Sequence, residues 1–177
     1  SATCAVNLTP RRARRPVNRR FIGGAREGDG GGALPIPEPA EALKAPGEIG
    51  TTEELYLAGQ HLEQYRHATF LPDDYYREGL RRDPTDIRLN NAYGLFLLRN
   101  ARVEESVPFF RAAIRKQTWR NPNPYSGEAY FNLGLALETL EKLPEAYDAF
   151  FKATWSAETA GAAWYHLACI SVKQGDL

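Results

Sequence analysis

The chain has 177 residues, 43% of them apolar and 25% charged, with 22 basic and 22 acidic side chains. Such a composition is ordinary for a globular domain, and zero net charge gives no general argument for nucleic acid or an anionic membrane as partner. The longest strongly apolar stretch, Ala92 to Leu98, is far short of the ~20 residues that cross a bilayer, and two cysteines at opposite ends of the chain, Cys4 and Cys169, exclude a disulfide scaffold.

Reduced thiols fit a cytoplasmic protein. The absence of Met reads as a lost initiator or a fragment. Residues 1–32 hold seven Arg and two acids, a local charge of +5. No apolar run follows the Arg cluster, so a signal peptide fits poorly. Gly and Pro dominate up to residue 50. This segment cannot bury enough apolar surface to offset its chain entropy. Residues 1–50 are therefore expected to be a disordered Arg/Gly/Pro-rich tail and linker. The cluster Arg11–Arg20 is a nucleic-acid or localisation candidate, with a solvated tail the favoured alternative.

From Thr51 onward the pattern is helical. Thr51 and Glu54 have capping-box spacing, and Leu55, Ala58, Gly59 and Leu62 recur on one stripe. Pro72-Asp73-Asp74 starts a second helix that ends near Asp83-Pro84. Further helices are expected at about Asp86–Arg99, Val103–Lys116, Gly127–Leu140 and Pro144–Trp155, with a last one from Thr159. No strands are needed, so the expected class is all-α.

An internal repeat organises these helices. Gly94, Leu97, Val103, Phe110 and Ala113 recur as Gly134, Leu137, Leu143, Phe150 and Ala153, 40 residues on. Ala168 follows Gly134 by 34, and Gly94 follows Gly59 by 35. Two helices per unit of this length resemble the tetratricopeptide repeat (TPR). Tyr130, Leu133, Gly134, Leu137, Ala146, Phe150 and Ala153 match its pattern within one unit. The second unit keeps Tyr93, Gly94, Leu97, Phe110 and Ala113, but has Asn90 and Ser106 where a bulky residue and Ala are usual. The first keeps Leu55, Gly59, Leu62, Tyr75 and Pro84, with Leu71 where Ala is usual and Gly79 in its second helix. The resemblance implies a TPR-type α-solenoid of about three and a half antiparallel helix pairs: 51–85, 86–126, 127–160 and a truncated 161–177. Small residues (Gly59, Gly94, Gly134, Ala146, Ala168) would let paired helices approach. Large ones (Tyr93, Phe110, Leu133, Leu137, Phe150, Trp164) would fill the gap to the next unit. The last unit is expected to expose an apolar end face, and the chain to be a piece of a longer protein.

A narrower resemblance lies in 53–69, 121–137 and 145–155. These segments look like the TPR region of large bacterial proteins in which such repeats follow a β-sandwich of the mutarotase type, the domain of unknown function DUF5107. That resemblance implies work on or near carbohydrate, with this chain as a helical arm.

No catalytic constellation accompanies the repeats. His61 and His67 lack the spacing of a zinc helix, His166 is isolated, and all three read as surface or packing residues. Asp73-Asp74 and Glu104-Glu105 stand at helix starts, where they complement the helix dipole. Cys169 reads as a buried, inert thiol. Phosphate loops and nucleophile elbows are absent from the sequence. A non-enzyme without metal or cofactor is expected.

The TPR resemblance implies that the first helix of each unit lines a concave groove. Its candidate binding residues are Tyr56, Gln60, Asn91, Leu95, Phe131, Leu135 and Tyr165. The row Tyr56, Leu95, Phe131, Leu135, Tyr165 suits an extended peptide or a docked helix, or else packs against more of the same protein. The chaperone-type carboxylate clamp is missing, since its positions hold Tyr56, Gln60, Ala92, Glu128 and Asn132. In the loop 118–127, Trp119, Asn121, Asn123 and Tyr125 are candidates for stacking on and hydrogen-bonding a sugar. The alternative is a rigid Asn-Pro turn with Trp119 as a plug over the core. The functional expectation is a protein-interaction scaffold. An accessory arm of a carbohydrate-active protein comes second, and nucleic-acid binding through the Arg-rich tail third.

Overall fold

The computed structural model describes residues 42–65 and 69–175. The Arg cluster, most of the expected tail, and His67 lie outside them. A short 3-10 turn, Pro46–Glu48, precedes seven helices: α1 (Thr52–Tyr65), α2 (Pro72–Arg82), α3 (Ile87–Arg99), α4 (Val103–Gln117), α5 (Glu128–Thr139), α6 (Leu143–Ala153) and α7 (Ala160–Gln174). Among the described residues there is no strand, and no helix is long and apolar enough to cross a membrane.

Local chemistry sets the helix ends. The Thr51 hydroxyl accepts from the Glu54 amide at 3.2 Å while the Glu54 carboxylate accepts from the Thr51 amide at 3.3 Å. Asp86 caps α3 by accepting from the Leu89 amide at 2.9 Å. The tight turns after α3 and α5 repeat one geometry. Ala101 and Glu141 take φ of 59° and 58°, and the amides of Arg102 and Lys142 each reach back 2.9 Å to the carbonyls of Leu97 and Leu137. These hydrogen bonds satisfy the last carbonyls of each helix.

Pairs α1–α2, α3–α4 and α5–α6 pack closely, and each pair stacks on the next. The small residues sit where the repeat requires them. A Cβ on Gly94 would lie 2.7 Å from the Phe110 ring, and one on Gly134 would lie 2.7 Å from Phe150. Gly59 meets Tyr76 in the same way. This contact corrects the alignment of the first unit. Tyr76 follows Gly59 by 17 residues, whereas Phe110 and Phe150 follow their glycines by 16. The connection from α1 to α2 thus holds one extra residue. Gly79 then stands where Ala113 and Ala153 stand, and a Cβ there would come within 2.7 Å of Leu89. Gly79 is a packing residue, and Leu71, outside α2, is simply exposed. Asn90 and Ser106 are buried without cost because their side chains donate to backbone carbonyls: Asn90 to Pro84 and Asp86, Ser106 to Val103.

Residues 42–50, expected to belong to the linker, instead pack on α1 and α2. Ile49 is buried beside Leu55 and Leu62. The Tyr75 hydroxyl donates to the Lys44 carbonyl at 2.8 Å, and Arg82 donates to the carbonyls of Ile49 at 2.5 Å and Pro46 at 3.3 Å. Composition hides this docking because two apolar side chains, Ile49 and Leu43, and a few backbone carbonyls carry it. Trp164 also departs from expectation: it is exposed, not wedged between units. The described residues include no second helix to cover its face of α7.

Candidate binding surface on the first helices

Polar bridges tie each first helix to the next. From α1 to α3, Glu53 pairs with Arg88, whose guanidinium lies 5.2 Å over the Tyr56 ring. Glu63 accepts from Arg99 at 3.1 Å and from the Tyr76 hydroxyl at 2.6 Å. Burial and the hydrogen bond to Glu63 push that hydroxyl far above the ordinary tyrosine range. From α3 to α5, the Asn132 side-chain Nδ2 donates to the side-chain Oδ1 of Asn91 at 3.0 Å. From α5 to α7, Glu138 meets His166 at 2.7 Å and Lys173 at 3.1 Å. Burial would raise the Glu138 carboxyl, but these two hydrogen bonds outweigh it and hold the group low.

Four of the seven expected groove residues meet in one hollow. Tyr56, Gln60, Asn91 and Leu95 line a concavity of about 320 Å³ together with Glu63, Arg99 and Glu128. Burial, and then the nearby Glu128 carboxylate, raise the Tyr56 hydroxyl. Among the described residues Glu128 makes no ion pair. The other three expected residues behave differently. Phe131 and Leu135 do not line the hollow and, like Leu95, are half-buried against the C-terminal core, Phe131 edge-on to Phe150 at 5.6 Å and to His166 at 5.7 Å. Tyr165 is 69% exposed. The apolar row is therefore interrupted, and polar bridges separate its members. The repeat pattern puts Glu53, Glu63 and Arg88 at groove-facing positions without marking them as binding candidates, and it does not point to Arg99. Their signal was complementary charge one repeat apart: Glu53 and Arg88 are 35 residues apart, Glu63 and Arg99 are 36.

The loop candidates do not converge. Trp119 is 70% exposed, so it is no plug over the core. Its ring lies between Arg120 at 4.7 Å and Lys116 at 5.8 Å and borders a hollow with Pro84 and Ala112. Asn121 turns the loop by accepting from the Asn123 amide at 3.0 Å. Asn123 faces another way, accepting from Lys152 at 3.3 Å beside Trp155. Tyr125 is fully exposed. These positions offer no shared platform for a sugar ring. His166 is a packing residue, stacked 4.7 Å from Phe150, whereas Cys169 is half-buried, not sealed in the core. Among the described residues no group of three or more His, Cys, Asp or Glu is placed to hold a metal.

No family model matches the chain. Similar solved structures include the crystal structure of MamA protein, with TM-score 0.61 and 19% identity over 72% of this chain and 67% of that one. A MamA fragment from Desulfovibrio magneticus RS-1, spanning 41 to its end, gives 0.56 and 23% over 71% and 67%. PilW, a widely conserved type IV pilus biogenesis factor, gives 0.57 and 24% over 71% of this chain and 56% of that one. Identities this low bear on the fold alone. With the helix order and the glycine contacts, they make the described part an all-α, TPR-type solenoid.

Proposed function

We propose that the chain is a non-catalytic protein-interaction scaffold whose concave face takes an extended peptide. The observation that carries this reading is the hollow between α1, α3 and α5. Gln60 and Asn91 place two amide side chains where a peptide backbone would run. Leu95 supplies an apolar contact between them, and the Glu128 carboxylate at one end suits a basic side chain. Two ion pairs between α1 and α3 and the Asn132–Asn91 hydrogen bond between α3 and α5 hold the three helices in register, so the hollow is formed before any partner arrives.

The test is a displayed peptide library selected on the purified chain, with affinities of the winners read by fluorescence anisotropy. Peptides with a basic residue should dominate. Leu95→Arg should weaken them at least about tenfold, which is ~1.4 kcal/mol. Glu128→Lys should weaken basic peptides and spare neutral ones. Circular dichroism should be unchanged for Glu128→Lys; Leu95 is half-buried, so its variant is compared at a temperature where its helix content equals that of the parent. Winners that bind both variants as well as the parent chain would remove the groove from the proposal.

A further inference from the structure

Nine arginines lie among the described residues. Seven of them, from Arg77 to Arg111, are ion-paired. The two that are not, Arg115 and Arg120, stand in and just after the last turn of α4. Lys116 beside them makes no ion pair among the described residues either. The sequence concentrates this charge. Between Glu105 and Glu128 there are four cations and no acid, and only Arg111 finds a carboxylate, that of Glu145. Cations in the last turn of a helix complement its dipole, which accounts for Arg115 and Lys116. It does not account for Arg120, beyond the helix end, nor for the exposed Trp119 among them.

The cations border an apolar floor. Pro84 and Thr85, from the turn between α2 and α3, join Ala112, Arg115, Lys116 and Trp119 around a hollow of about 260 Å³. Asp83 is within electrostatic range of Lys116 but is engaged elsewhere: its Oδ1 accepts from the Thr85 amide and hydroxyl, both at 2.8 Å. The hollow shares no residue with the concave one between α1, α3 and α5.

We propose that this hollow takes an acidic segment of a partner protein, with an apolar side chain on the floor and carboxylates on either side of it at Arg115, Lys116 and Arg120. The seven paired arginines show what a guanidinium does in this fold when a carboxylate is in reach, and the partner supplies the carboxylates missing here. The floor of Pro84, Ala112 and Trp119 favours a peptide over a phosphate backbone, which needs the cations alone. A nucleobase stacks on an open aromatic face. On Trp119 it would compete with Arg120 and Lys116, which both lie over the ring.

The test follows Trp119 itself. The chain has three tryptophans, so in a Trp155→Phe, Trp164→Phe background its emission reports this hollow alone. The probes are two synthetic peptides, with a leucine or a phenylalanine between two pairs of glutamates. At least one should shift that emission and saturate below about 1 mM. Replacing its apolar residue by serine, or its glutamates by glutamines, should weaken binding at least about tenfold. Arg115→Glu with Arg120→Glu should do the same at unchanged helix content. Lys142→Glu, at an exposed cation elsewhere, should have no effect. Glu128→Lys, which acts on the concave hollow, should not weaken these peptides, so the two sites fail separately. Trp119 emission that ignores both peptides would overturn the proposal, as would equal binding of the serine peptide or equal losses from Lys142→Glu and the double variant. An oligothymidylate that binds more tightly than the peptides would also overturn it, and would assign the cluster to nucleic acid.

Discussion

The α5–α6 pair and α7 carry the same first-helix pattern, yet their surroundings are opposite. In α5, Gly134 lies under the Phe150 ring, and Phe150 is wholly buried. In α7 the small residue is the exposed Ala168, and Trp164 stands half in solvent. The pattern thus specifies what a face can pack against. Whether it is packed depends on a neighbouring helix. α1 and α3, by contrast, use their concave side for ion pairs and amide bonds, which need only the next first helix.

The largest expected effect comes from removing the covering ring. Phe150→Ala should cost about 3–5 kcal/mol in chemical denaturation. Trp164→Ala should stay within about 0.5 kcal/mol. Comparable losses would mean that α7 is covered after all.

Next come the small residues themselves. Gly134→Leu must push into Phe150, so overpacking of about 1–3 kcal/mol should exceed the gain of ~1 kcal/mol in helix propensity. At Gly161 an added Cβ meets nothing within 4 Å. Gly161→Ala should therefore raise the melting temperature slightly. A stabilising Gly134→Leu would break the comparison at its base.

Phe131→Ala falls in between. As a groove residue facing solvent it would be neutral to folding, but the ring packs on Phe150 and His166. A loss of about 2 kcal/mol is expected, less than for a fully buried ring. This makes Phe131 a poor probe of binding; Leu95 is half-buried against the same core, whereas the exposed Glu128 is a clean probe.

The smallest effect concerns the docked segment 42–50. Hydrogen bonds from Arg81 and Arg82 hold the Glu78 carboxyl at about 2, against an ordinary 4.5. A carboxyl lowered by folding contributes stability above its unfolded value, and the contribution is lost as pH falls toward the folded one. Glu78 also orients Arg82, which holds the carbonyls of Pro46 and Ile49. Protection factors of the amides at Gly47–Gly50 should fall as pH drops from 4.5 toward 2. Glu78→Gln should remove that dependence.

Much of the fold was legible because it rests on local periodicity. Gly94 with Phe110 and Gly134 with Phe150 share one spacing, which marked the close approach of paired helices, but that each ring lies on the glycine of its own unit came from the structure. The first unit was misaligned by one residue because its extra residue lies in a connection, where no period constrains it. The groove was half legible. Tyr56, Gln60, Asn91 and Leu95 converge as the pattern predicts. Phe131 does not join them, since a first-helix aromatic can turn toward solvent or toward the next unit's ring with no change in spacing.

Helix number, pairing and the positions that demand small residues were therefore determined by the sequence alone. Each follows from 3.6-residue periodicity and the bulk of single side chains. Tertiary structure alone decided that Arg82 clamps residues 42–50, that Arg88 covers Tyr56 and that Trp119 stands clear of the core. These outcomes depend on distances between residues far apart in the chain. No local pattern encodes such distances, because they are set only when the units stack.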